Sequence, residues 1–292
     1  MSVEKLQEKI RKLKNPSVVD FRVLPQQLPP YLVESEADLV SAYRRFCIEL
    51  LGGLSGMVPA VRFSMGQFSL LGAEGMAALE ILLRTSREKG FYIFLDGVEM
   101  LSAQNAEFAA EMLLGEQSRW CFDGIVCASY IGSDGLRPYI DRLKNTDKDL
   151  FAVVRTANRS AAELQDLLTG SRLVHLAKAD IVNRYAEAFT GRSGYSRVAV
   201  MAAASSADSL RSLRSKYKNL FILVDGYDSP NANAKNCSFA FVKLGHGAIV
   251  CVGASVTAAW QTEDQGGWQY VEHAVSAAER MKKNLSRYVT VL

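Results

Sequence analysis

The residues able to do chemistry stand at or just past the ends of short apolar runs. Asp20 and Arg22 close the run 17–22 (SVVDFR), Arg62 closes 57–62 (MVPAVR), and Asp96 closes 91–96 (FYIFLD) with Glu99 three residues on. Ser129 closes 124–129 (GIVCAS), Thr156 follows 150–155 (LFAVVR), and Asp225 closes 220–225 (LFILVD) with Tyr227 two residues later. Neighbouring carboxylates such as Asp96 and Glu99 suit general acid–base work. Arg22 and Arg62 suit the recognition of a carboxylate or phosphate, or ion pairing with Asp20, Asp96 or Glu99. The cysteines at 47, 121, 127, 237 and 251 contain no CxxC pair, and His175, His246 and His273 are scattered. That spacing offers no zinc site, so neither a metal nor a cofactor is expected. Cys127 and Cys251 lie inside apolar runs, where a thiol is inert.

The elements that must position these residues follow from the runs themselves. Two further runs, 197–203 (RVAVMAA) and 247–252 (GAIVCV), bring the number to eight. Continuous rather than alternating hydrophobicity suits strands buried on both faces of a parallel sheet. Between them, helical spacing of apolar residues occupies 37–51, 75–89, 105–114, 135–144, 160–168, 177–189 and 207–217. Helices are also expected at about 3–14 and about 268–284. Ser205, Ser206 and Asp208 are placed to cap the helix at 207–217. Eight strands alternating with helices predict an α/β fold, a (β/α)8 TIM barrel, as a single domain over 1–292. An open doubly wound sheet is the alternative, but no GxGxxG follows the first run. In a barrel the ligand site lies at the carboxyl ends of the strands, where the charged residues stand.

Composition narrows the function classes. The 292 residues are 49% hydrophobic and 22% charged, ordinary for a globular protein. The net charge is +3 with no block of like charges, so no nucleic acid and no membrane is expected as partner. The most apolar tract, 247–260, is too short to span a bilayer. The charged amphipathic opening is not a signal peptide, and free thiols suit a reducing compartment, so a cytoplasmic protein is expected.

Ordered blocks then carry a resemblance. NPSVVDF resembles NPxVVGLD, and VPAVRFSMGQF resembles VPAVKPQxAFF. FLDGVEMLSAQNA lies where LDAKRGDIGNTA would, and SYIGSDGLRPYI resembles NPYxGxDSLxPFL. LFAVVRTANRSAAELQDL closely resembles LFVLVRTSNPSAxxLQDL. LVDGYDSPNAN and GAIVCVGASVTAAW lie at the positions of PGxGAQGG and GxIVNSSRxIxYA. All these patterns belong to the longer bacterial orotidine 5'-phosphate decarboxylases, and the blocks run in the family's order from residue 15 to residue 260.

The resemblance implies a decarboxylase scaffold with a changed site. The family's DxKxxD array, with a preceding lysine, surrounds the scissile carboxylate and protonates the carbanion. Here Asp96 matches the first aspartate, but the lysine position is Val98, the second aspartate position is Leu101, and the preceding lysine is Arg62. Arg22 stands where a ribose-binding aspartate would, and Ala157 replaces the serine of RTSN. The phosphate-gripping positions read Asp228, Pro230 and Asn231 after the seventh strand and Ala254 after the eighth, and no arginine lies between Lys243 and Arg280. The expectation is therefore a pseudoenzyme with a binding or regulatory role. The alternatives are an active decarboxylase, a carbon–carbon lyase of pyrimidine (UMP) biosynthesis with a rewired site, or an enzyme of different specificity. The candidate pocket comprises Arg22, Arg62, Glu99, Ser129, Thr156, Asp225 and Tyr227, with Asp96 as the one catalytic position kept. The resemblance also implies a homodimer, with Met100 and Leu101 at its interface, and a nucleotide or other small anion as ligand.

Overall fold

The computed structural model describes residues 2–97, 102–128, 130–262, 264 and 266–292. Val98, Glu99, Met100, Leu101 and Ser129, named above, lie outside the described residues. Eight parallel strands close a barrel: β1 (Ser17–Asp20), β2 (Ala60–Ser64), β3 (Tyr92–Asp96), β4 (Gly124–Cys127), β5 (Asp149–Val153), β6 (Ser196–Ala203), β7 (Leu220–Asp225) and β8 (Ala248–Val252). Each strand pairs with the next, and β8 closes on β1 with Ser17 opposite Val250 and Val19 opposite Val252. The continuous apolar runs thus form a closed (β/α)8 TIM barrel, not an open sheet.

Closure divides the apolar residues into two cores, because successive side chains point to opposite faces of a strand. Val19, Val61, Ile93 and Leu95 face outward and pack beneath the helices. Those are α2 (Leu39–Leu54), α3 (Gly72–Glu88), α4 (Ala103–Leu114), α5 (Arg137–Leu143), α6 (Val174–Ala186), α7 (Ala207–Lys216) and α8 (Tyr270–Ser286), with shorter turns between. Val18, Tyr92, Phe94, Phe151 and Phe221 face inward. The inner rings stack in series, with centroids 4.8 Å apart for Tyr92–Phe94 and 5.0 Å for Phe94–Phe151. Gly124 leaves room for them: a Cβ there would stand 2.6 Å from the Tyr92 hydroxyl and 2.8 Å from the Phe151 ring.

Helix α1 (Ser2–Leu13) contributes Val3, Leu6 and Ile10 to this inner core, joined by Val289 and Val291 of the tail. The Gly247 N–H, just before β8, donates to Gln7 at 3.2 Å, which places α1 across the N-terminal end of the barrel. One end is thereby sealed by apolar contacts, and the opposite end carries the polar groups. No helix of the described residues is long and apolar enough to cross a membrane.

Two expectations need correction. The segment 160–168 is not an α-helix. It forms a 3-10 turn, Arg159–Glu163, and then a hairpin pairing Leu168–Thr169 with Arg172–Leu173, with Gly170 at φ 65 between them. Side chains tie this segment back to the end of β5, as described below, and override its helical spacing. Ser206 does occupy the N-cap of α7, but its side chain caps no backbone donor. Its hydroxyl donates to Ser209 Oγ at 2.7 Å instead, and Asp208 pairs with Arg211 at 3.0 Å.

Candidate functional site at the barrel mouth

Strand register builds the site. Asp20 lies opposite Arg62 across β1 and β2, and Ser64 opposite Asp96 across β2 and β3. Arg62 points into the barrel and is only 1% exposed. Its Nη1 donates to Asp225 Oδ1 of β7 at 2.6 Å, and its Nη2 donates to Asp96 Oδ2 at 2.8 Å. Asp20 Oδ2 is 3.6 Å from the same Nη1. Arg22 lies over this cluster with its side chain 42% exposed. Its Nε donates to Asp20 Oδ2 at 2.7 Å, and it reaches Asp225 at 3.5 Å and Asp96 at 3.7 Å. Two guanidiniums thus face three carboxylates. Both arginines pair with Asp20 and Asp96, and Asp225, which was not expected as a partner, joins them in pairing with both. Arg62 Nε is buried without an acceptor.

Burial and charge act oppositely within the cluster. For Asp225, burial pushes the carboxyl up, but Arg62, Arg22 and the hydrogen bond outweigh it and hold the group below its ordinary value. For Asp96, burial prevails over the same two arginines and leaves the carboxyl above its ordinary value. Burial beside Asp20 pushes the Cys251 thiol well up, in keeping with an inert cysteine.

Asp20, Asp225 and Cys251 present ligand atoms within 4.8 Å of one another, the spacing a metal ion needs. Arg62 and Arg22 already hold the nearest carboxylate oxygens at 2.6 and 2.7 Å. The group is arranged around guanidiniums, and a cation would have to displace both.

Above the cluster opens a cavity of about 380 Å³, with Thr156, Asn158 and Ser229 on its polar side and Val153 and Met201 on its apolar side. A second cavity of about 310 Å³ adjoins it and includes Asp20, Asp228, Gly253 and Ala254 in its lining. The structure therefore brings together Arg22, Arg62, Asp96, Thr156 and Asp225. Tyr227 is not among them. Gly226, at φ 76, turns the chain, and the Tyr227 ring packs half-buried against the outer core. Met201, which reads as core filling, lines the cavity as well; only its inward register on β6 could have marked it.

The loop after β5 forms one wall. Arg155 makes a fork to Asp166, Nε to Oδ1 and Nη2 to Oδ2, both at 2.9 Å. The Thr156 N–H donates to Gln165 Oε1 at 2.8 Å, and Gln165 Nε2 donates to Thr156 Oγ1 at 2.8 Å. Beside it, the loop after β7 carries Asp228, whose Oδ2 accepts the Gly253 N–H at 2.8 Å and whose Oδ1 accepts the Ser255 hydroxyl.

Known proteins share this sequence and architecture. The curated Rhodopirellula baltica protein named orotidine 5'-phosphate decarboxylase is 26% identical over 257 residues, 84% of this chain and 85% of its own length. The Clostridium kluyveri protein of the same name is 24% identical over 287 residues, 98% of this chain and 97% of its own. Over most of its length the chain is similar to the orotidine 5'-phosphate decarboxylases. Solved structures agree in fold. An orotidine-monophosphate-decarboxylase structure from Toxoplasma gondii matches with a TM-score of 0.76 at 19% identity, covering 97% of this chain and 98% of that one. The orotidine 5'-phosphate decarboxylase structure from Streptomyces avermitilis gives 0.77 at 18% identity, covering 99% and 95%. No protein-family model matches the chain. Of the positions that the resemblance assigns to the decarboxylase reacting centre, Arg62 and Asp96 are described, and they are bonded to each other.

Proposed function

We propose that this decarboxylase-like barrel has lost the inherited chemistry and acts by binding, as a pseudoenzyme with a regulatory or ligand-sensing role. Arg62 carries this reading. Arginine stays protonated near neutral pH and is a poor proton donor. Both of its terminal nitrogens are engaged by Asp225 and Asp96, so the cation at the reacting centre is neutralised by its own neighbours. The lysine and second aspartate positions are Val98 and Leu101, which neither ionise nor donate. No lysine lines either mouth cavity among the described residues. Preorganised charge of that kind usually supplies much of an enzyme's rate, and its replacement removes the proton source.

The competing reading, an active decarboxylase in pyrimidine synthesis, draws on the shared name of the curated relatives. A decarboxylation assay with orotidine 5'-phosphate at high protein concentration separates the two. The expected result is no turnover; rates of about 1–1000 per second, as enzymes commonly show, would overturn the pseudoenzyme reading.

The protein is further read as a cytoplasmic homodimer. None of the five cysteines forms a disulfide among the described residues, which suits a reducing compartment. Helix α4 exposes Phe108 and Met112, and the loops after β4 and β5 expose Ile131, Leu164 and Leu168. Exposed apolar side chains on these elements favour burial against a second copy. Sedimentation of the intact protein as a monomer at micromolar concentration would dismiss the dimer.

A further inference from the structure

We propose that the Asp228 carboxylate is a built-in occupant of the anion subsite at the barrel mouth, so that the mouth takes a small polar ligand without a phosphate group, neutral or cationic. The proposal rests on the reading of the barrel as a binding protein and adds the chemical class of what it binds. In (β/α)8 barrels, phosphate commonly sits between the loops after the seventh and eighth strands. Here the loop after β7 sends Asp228 across to the loop after β8. The carboxylate takes up the Gly253 N–H at 2.8 Å and the Ser255 hydroxyl, and lies 3.4 Å from the Ser255 N–H. These are the donors that a phosphate oxygen would need, and an anion of the protein's own already holds them.

The surrounding charge points the same way. The described residues lining the two cavities include four carboxylates, Asp20, Asp96, Asp225 and Asp228, against two guanidiniums, Arg22 and Arg62. Both arginines are paired with those carboxylates. A dianion entering this mouth meets net negative charge, whereas a neutral or cationic molecule does not. The larger cavity, about 380 Å³, has room for a small ligand and offers it an amide at Asn158 and hydroxyls at Thr156 and Ser229.

The test is calorimetric titration of the full chain with inorganic phosphate and with uridine 5'-monophosphate. Wild type is compared with Asp228→Ala and Asp228→Asn, the folding of each checked by circular dichroism. Wild type is expected to show no saturable binding of either probe in the millimolar range. Asp228→Ala frees the Gly253 and Ser255 donors and removes one negative charge, so its affinity for both probes should rise roughly tenfold or more. Asp228→Asn keeps an acceptor but not the charge and should fall between. If wild type binds phosphate or the nucleotide as tightly as Asp228→Ala, the proposal is overturned. A folded Asp228→Asn that gains nothing overturns it as well, whether or not the alanine variant folds. Phosphate binding by wild type without turnover of orotidine 5'-phosphate defeats this inference alone; turnover defeats the pseudoenzyme reading beneath it.

Discussion

Two arginines on opposite walls of the mouth hold carboxylates in contrasting ways. Arg155 forms a fork to Asp166, 11 residues away in the same loop, and that carboxylate is partly open to solvent. Arg62 is buried and bridges Asp96 and Asp225, which lie 34 and 163 residues away on β3 and β7. The first is a local clamp that shapes one loop. The second is a tie across the barrel that exists only once all eight strands have closed. The clamp lies in RTANRSAAELQDL, the block that most closely resembles the decarboxylases, whereas the tie is built from a position where they carry lysine. One wall keeps the pattern that carries the resemblance, and the other is a cluster in which guanidiniums and carboxylates neutralise one another.

Breaking the tie should have the largest effect. Arg62→Met leaves Asp225 and Asp96 buried without their main partner, a loss of roughly 3–5 kcal/mol in unfolding free energy by denaturant titration. Its pH dependence should invert as well. In wild type the Asp225 carboxyl is held below its ordinary value, so its contribution is present above about pH 4 and lost as pH falls through the folded value. Without Arg62, burial prevails and raises the carboxyl, so stability is greatest in acid and declines as pH rises through the new value. A variant no less stable than wild type at pH 7, or with an unchanged pH profile, would mean that the cluster is not a structural tie.

Gly226 joins the two walls and gives the next test. It stands at φ 76, and an added Cβ would lie 2.5 Å from Ala157 Cβ and 2.8 Å from Ser229 Oγ. Gly226→Ala combines left-handed strain with a clash between the loops after β5 and β7. It should cost about 2 kcal/mol and increase amide exchange on both sides of the mouth. Faster exchange confined to the β7 loop would show that the walls are independent.

Much of the barrel was legible because a strand buried on both faces carries its signal in its own residues. The apolar run 220–225 matches Leu220–Asp225, and 91–96 ends with β3 at Asp96. The gathering of Arg22, Arg62, Asp96 and Thr156 at one end follows from the same alternation. Which carboxylate meets which arginine does not, because the Arg62–Asp225 contact is set by closure of the sheet and not by spacing along it. The segment 160–168 misleads for the opposite reason. Its apolar spacing is helical, but Gln165 and Asp166 are spent on Thr156 and Arg155, and those bonds fold the backbone into a turn and hairpin.

That local clamp supplies the smallest predicted effect. Arg155 and Asp166 are joined by a charge-assisted fork, but Asp166 is about one-third exposed, so solvent screens part of the attraction. Asp166 also lies 3.3 Å from His175 Nδ1, and Arg155 Nη1 donates to the Thr156 carbonyl, so single variants disturb more than the pair. A double-mutant cycle of Arg155→Met and Asp166→Asn isolates the coupling, expected at about 1 kcal/mol. Because the clamp holds only its own loop, the loss should appear as faster amide exchange at 156–166 with the barrel strands unchanged. Strand amides that loosen together with the loop would make the clamp part of the same cooperative unit as the Arg62 tie, and the contrast between the two walls would fall.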